Sequence, residues 1–124
     1  MIHNSFFSIA GLIVNLASQR SEDVELVPSL KPFSVEPTEP DIRIKVEWVA
    51  RLDEDLRTSL FDSGANWRLY EDDGEFQFDI CAPVFSKDPY KRLLIDSRFR
   101  EAALQVSQES FETFPLLCGA WITR

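Results

Sequence analysis

Histidine is almost missing from this chain of 124 residues; the one copy is His3, beside the amino terminus, where a frayed end is expected. A histidine-based zinc site or a catalytic triad has no second histidine to recruit. Cysteine is nearly as scarce. Cys81 and Cys118 lie far apart and follow no CxxC spacing, so they read as two free buried thiols, with one disulfide as the alternative. Glycine occurs four times, which disfavours glycine-rich nucleotide loops and flexible linkers. No GxxxxGK[ST] occurs, and the closest glycine pair, Gly64 and Gly74, encloses a predicted strand. The chain carries no P-loop.

Positive charge is also in short supply. Thirteen Lys and Arg face 21 Asp and Glu, a formal net charge of −8. The basic residues are scattered, with no run of the kind that marks an RNA or membrane patch, and an acidic surface repels phosphate backbones. No nucleic-acid partner and no membrane partner are expected. The longest apolar stretch, Phe6 to Leu16, has no preceding Lys or Arg and is interrupted by Asn15. It is too short to span a bilayer and reads better as a first strand than as a signal peptide. A cytoplasmic location is the default. No internal repeat or low-complexity segment occurs.

What the chain does have is core material. Hydrophobic residues make up 44% of it, with ten Phe and three Trp, and charged residues 27%. These are the proportions of a globular protein, and the length fits a single domain, 1–124, able to bury roughly two-thirds of the surface of its unfolded form.

The patterning is that of strands. Ile42, Ile44, Val46 and Trp48 alternate with Arg43, Lys45 and Glu47, a two-residue period with one buried face and one wet. Before it, Pro28, Pro32, Pro37 and Pro40 deny a connector its backbone donors, and Phe33 and Val35 are expected to tuck under the sheet. Ser5 to Ser18 reads as one strand or as two broken at Ala10-Gly11, covered on both faces; Gln19 to Asp23 is a polar turn and Val24 to Val27 a short strand. Ala50 to Leu56 is a loop and Arg57 to Phe61 a strand. Asn66 to Tyr70 and Glu75 to Ile80 flank Glu71-Asp72-Asp73-Gly74, and Asp-Gly is a strong hairpin signal. Trp67, Leu69, Phe76, Phe78 and Ile80 are assigned to the core, with Glu75, Gln77 and Asp79 to water and Tyr70 exposed near the hairpin tip. Tyr90 to Ile95 is a strand. Asp96-Ser97-Arg98 is a tight turn and Phe99 to Ser107 the partner strand, with a helix over Arg98 to Val106 as the alternative on propensity. Phe114 to Ile122 is a short helix or final strand. The expected fold is mainly β, an antiparallel meander of hairpins with little helix; α+β is the alternative.

Each chemical reading has a plainer competitor. Asp53-Glu54-Asp55 and Glu71-Asp72-Asp73 could offer carboxylates to a hard cation, but neither has the spaced ligands of a calcium loop and both sit at turns. Paired carboxylates could serve glycoside chemistry only if they converged across a cleft. The aromatics Trp48, Trp67, Tyr70, Phe76 and Phe78 could form a stacking platform, but their alternation with charged residues points most of them inward. Neither cysteine has a base nearby in sequence, and Ser63-Gly64 lacks a nucleophile-elbow setting. No catalytic, cofactor-binding or metal-ligating residue is assigned.

The order of features nevertheless resembles the N-terminal region of bacterial HPr kinase-related proteins, a serine-kinase-like group. The matching residues are Ile9-Ala10-Gly11-Leu12, Lys31-Pro32-Phe33-Ser34-Val35 and Glu39-Pro40-Asp41-Ile42-Arg43-Ile44-Lys45-Val46. Trp67-Arg68-Leu69-Tyr70 follows, leading through Asp73-Gly74-Glu75-Phe76, with looser correspondence over Tyr90 to Phe99 and Phe114-Pro115-Leu116. Members of that group continue into a kinase-like domain with a P-loop, and this sequence has none. The resemblance therefore implies a non-catalytic accessory or recognition domain acting with a separate P-loop kinase domain or protein partner. The alternative is a small β-rich ligand-binding domain or enzyme. In the first case the apolar tail, with Phe114, Leu116, Leu117, Trp121 and Ile122, would be an interface, a homodimer contact included.

Overall fold

Alternation of apolar and polar residues gives one mixed sheet of eight strands in a computed structural model that describes residues 1–113. The expectations for Phe114 to Ile122, the interface residues among them, and for Cys118 lie outside the described residues. The strands are β1 (His3–Ile9), β2 (Leu12–Ser18), β3 (Ile42–Val49), β4 (Phe61–Asp62), β5 (Trp67–Asp72), β6 (Glu75–Cys81), β7 (Pro89–Ile95) and β8 (Glu101–Ser107). One helix, α1 (Gln108–Thr113), follows, and short 3-10 turns cover Ser21–Val24 and Lys31–Phe33. The fold is mainly β with little helix.

The sheet order is β1-β2-β3-β8-β7-β6-β5-β4. From β4 to β8 it is an antiparallel meander of sequential neighbours. The other end departs from a pure meander: β3 runs parallel to both β8 and β2, and only the β1–β2 hairpin is antiparallel there. The proline connector makes this geometry possible, because a parallel return requires a long crossover.

Two hairpins close where sequence places them. Ala10-Gly11 and Asp73-Gly74 all have positive φ, the conformation of the primed turns whose twist matches paired strands. Ser5 to Ser18 is thus two strands. His3 is not frayed but pairs with Ser18. Between helix and strand, Arg98 to Val106 resolves as strand, which begins at Glu101 and not at Phe99; Phe99 has positive φ and belongs to the turn before it.

Facing residues in the register share a side of the sheet, so one face can be followed across it. Phe7, Val14, Val46, Leu104, Leu93 and Phe78 lie on one side, as do Trp48 and Val106. The core gathers there: Val46, Val106 and Phe111 are buried together, with Trp48, Tyr90 and Leu104 packed against them. Phe111 of α1 meets Trp48 and Tyr90 edge-on, with ring centroids 5.6 and 5.9 Å apart.

Four local expectations are corrected. Val24 to Val27 is not a strand; the 3-10 turn ends at Val24 and irregular chain follows. Phe33 and Val35 do not tuck under the sheet, and Phe33 is 47% exposed. The connector instead runs beside the edge strand, where the Val35 N–H donates to the Phe6 carbonyl and Ser34 bridges Phe7. Cover on both faces also fails at the β1–β2 tip, where Ile9 and Leu12 are exposed. Arg57 to Phe61 shrinks to Phe61–Asp62. The Asp55 side chain takes both the Arg57 backbone N–H and its guanidinium, holding the segment in a local turn that competes with strand pairing.

Candidate functional site: the polar face and its two grooves

On the opposite side of the sheet from the core, the register sets Arg68 beside Asp79, Tyr70 beside Gln77, and Asp79 beside Arg92. Alternation alone assigns this row to water. The loop between β3 and β4 crosses over it instead, and the row becomes an interior. Asp79 and Tyr70 are each 2% exposed, which corrects both the expected exposure of Tyr70 and the expected hydration of Asp79. Trp67, assigned to the core, is 37% exposed on the other face, in ring contact with Phe61 and Phe78 near the short edge strand.

The covered row is held by ionic hydrogen bonds. Arg92 donates from Nε to Asp79 Oδ1 at 2.7 Å and from Nη2 to Oδ2 at 3.0 Å. Gln77 Nε2 donates to the same carboxylate at 3.1 Å and to Asp55 Oδ2 at 3.0 Å. The loop is tied down through its backbone: Arg92 Nη2 donates to the Asp53 carbonyl at 2.8 Å and the Tyr70 hydroxyl to the Asp55 carbonyl at 3.0 Å. Arg68 bridges Glu54 and Asp62. The triplet Asp53-Glu54-Asp55 is therefore a set of clamps and backbone acceptors.

These contacts set the protonation states. Hydrogen bonds from Arg57, assisted by Gln77, hold the Asp55 carboxyl well below the usual carboxylate range against the opposing effect of burial. Burial pushes the Tyr70 phenol upward. Burial likewise raises the Cys81 thiol, which is half-buried and free; a raised thiol is a weak nucleophile near neutral pH.

Two grooves open on this polar side. The first, about 460 Å³, lies between the loop and the sheet and is lined by Arg57, Tyr70, Gln77, Leu94, Lys45 and Glu101 among others. The second, about 720 Å³, follows β3 from Arg43 to Trp48 and takes in Asn15, Arg20, Glu101 and Gln108. Lys45 and Glu101 line both. Among the described residues no group of three or more His, Cys, Asp or Glu side chains is placed to hold a metal ion, and no helix is long and apolar enough to cross a membrane.

At one end of the larger groove Trp48 turns its side chain to the core side of the sheet, where it is held from within the fold. Asp23, fully buried in the 3-10 turn after β2, accepts from Ser18 Oγ at 2.7 Å and from Trp48 Nε1 at 2.8 Å, both on Oδ2. The Arg20 guanidinium lies over the Trp48 ring, 3.9 Å from its centroid. Sequence reasoning passed over Asp23 and Arg20 as turn residues. No periodic pattern marks them, because their partners come from β2 and β3, five to 28 residues away in sequence. Of the aromatics considered as a platform, Trp48 lines the larger groove and Tyr70 and Phe76 the smaller one.

No family model, no curated protein and no solved structure matches this chain.

Proposed function

We propose that the chain is a non-catalytic recognition domain that acts beside a P-loop kinase domain, in the type of system implied by its resemblance to HPr kinase-related proteins. The observation that carries this reading is the closure of the buried ionic row. Asp79, Arg92, Asp55 and Arg68 each have opposite-charge partners, so the row is committed to holding a loop and supplies no idle base. A shaped polar face with its buried charges mutually satisfied is suited to binding or packing. The raised Cys81 thiol fits the same reading.

The purified chain, mixed with labelled ATP and a serine-bearing carrier protein, should transfer no phosphate. Adding a P-loop kinase domain of the HPr kinase-like kind should give transfer that the chain enhances. Phosphoryl transfer by the chain alone would overturn the proposal. The apolar residues Leu117 and Trp121 belong to the same reading as an interface. Leu117→Ser with Trp121→Ser should abolish any dimer seen by light scattering, whereas a monodisperse monomer of the unaltered chain at high concentration counts against the homodimer. A second reading, a small β-rich ligand-binding domain, is favoured by the 720 Å³ groove, whose volume falls within the usual range for small-molecule sites.

A further inference from the structure

The apolar side of the sheet is buried at one end only. On β3 and β8, Val46 and Val106 are buried together with Phe111. Toward the β4 edge the register carries the same side onward, through Leu93, Phe78, Leu69 and Phe61 in one row and through Ile80 and Trp67 in the next. None of these six side chains is buried, and Phe61 and Trp67 are 49% and 37% exposed. Phe76 and Ile95 extend the same side, with Phe99 stacked on Phe76 at 5.5 Å between ring centroids. The 3-10 turns pack on β1 and β2, and α1 places Phe111 against Trp48 and Tyr90. Among the described residues no helical element packs broadly on β5 or β6. An apolar sheet face of this breadth is a surface that folds cover with a further layer.

The chain's own sequence offers the cover. Residues 114–124 follow α1 and include Phe114, Leu116, Leu117, Trp121 and Ile122, with no charged side chain before Arg124. From β8 to β5 is three strand spacings, about 14 Å. Eleven residues reach about 16 Å as a helix and about 36 Å fully extended, so the segment is long enough in either form. Charge agrees. On this side of β4 to β7 the charged strand residues are Lys91, which is buried, and Glu71, which is exposed on the edge-ward strand β5, where the basic end of the segment would arrive. A second copy would bring a net charge of −8 against the same charge, whereas a tethered neutral segment meets no such repulsion and is present at high effective concentration.

We propose that residues 114–124 dock on the sheet of their own molecule, across β7, β6 and β5, with Trp121 and the two leucines set against Phe78, Leu93 and Ile95. The inference does not rest on the kinase-related reading: phosphoryl transfer tests that reading, and the position of the tail within one molecule tests this one.

The test is nuclear Overhauser spectroscopy on the full chain with isotopically labelled leucine and isoleucine methyl groups, over a dilution series and in a mixture of labelled and unlabelled chain. Contacts from the Trp121 indole protons to the methyl groups of Leu93 and Ile95 are expected within one molecule, with the same intensity throughout the dilution. Trp121→Ser should move the methyl resonances of Leu93 and Ile95 and leave those of Val14, three strands from β7, in place. Contacts seen only between labelled and unlabelled chains would put a second copy on the face and overturn the proposal. Absence of any contact from Trp121 to Leu69, Leu93 and Ile95 would leave the face to another partner and overturn it too, as would Leu93 and Ile95 resonances that Trp121→Ser does not move.

Discussion

Replacing Arg92 with Met should expose how much of this fold depends on one cross-strand ion pair. Asp79 is buried at 2% exposure and takes both oxygens' main contacts from Arg92, whose side chain is itself only 17% exposed. Methionine fills the stem volume but withdraws two charge-assisted hydrogen bonds, leaving Gln77 as the remaining side-chain donor to Asp79. Removing one member of a buried pair costs about 3–5 kcal/mol. The Arg92 contact with the Asp53 carbonyl is lost as well, so the loop should loosen with it. Against a total stability of about 5–15 kcal/mol, that is a large share. Urea unfolding followed by tryptophan fluorescence should show the midpoint falling with little change in slope. The double variant Asp79→Leu, Arg92→Met should recover most of the loss, because no unpaired charge is left under the loop. A cost below about 1 kcal/mol for Arg92→Met, the value of an exposed pair, would refute the reasoning by showing that water reaches Asp79.

Two further outcomes follow from neighbouring groups. Since the Asp55 carboxyl is held below its ordinary value in the folded state, chiefly by Arg57, its contribution to stability is complete above the unfolded value of about 4 and drains away as pH falls from there toward the folded value. Unfolding free energy measured from about pH 5 to pH 2 should therefore fall with acid, and Asp55→Asn should flatten that fall; an unchanged slope would remove Asp55 as its source. Trp48→Phe keeps an aromatic ring against Phe111 but withdraws a donor from the fully buried Asp23 carboxylate, and should cost about 1–3 kcal/mol in the same denaturant assay. A neutral result would mean that the Asp23–Trp48 hydrogen bond does not hold the indole in place.

How far the sequence could be read follows from the two faces of the sheet. Where one face meets the core and the other meets water, alternation is sufficient, and β3 is legible residue by residue from Ile42 to Trp48. The Asp73-Gly74 and Ala10-Gly11 turns are legible because positive φ restricts the residue types that fit. Between β5 and β7 the rule gives the right strands and the wrong exposure. Gln77, Asp79 and Arg92 look like a wet face in every local window, and only a loop from elsewhere in the chain dries them. Burial by a distant segment leaves no periodic trace. Parallel pairing of β3 with β2 and β8 was equally hidden, since hairpin signals report only sequential antiparallel neighbours.

The same physics explains why the candidate site was missed while the core was found. A core residue is recognisable by its own chemistry, but Asp23 and Arg20 acquire meaning only from Trp48, which β3 delivers from more than 20 residues away. Asp23 would be a poor choice for a fully buried position unless it met donors there, and Ser18 and Trp48 supply two. The hydrogen-bonded carboxylate orients the indole, and the indole face carries the Arg20 guanidinium.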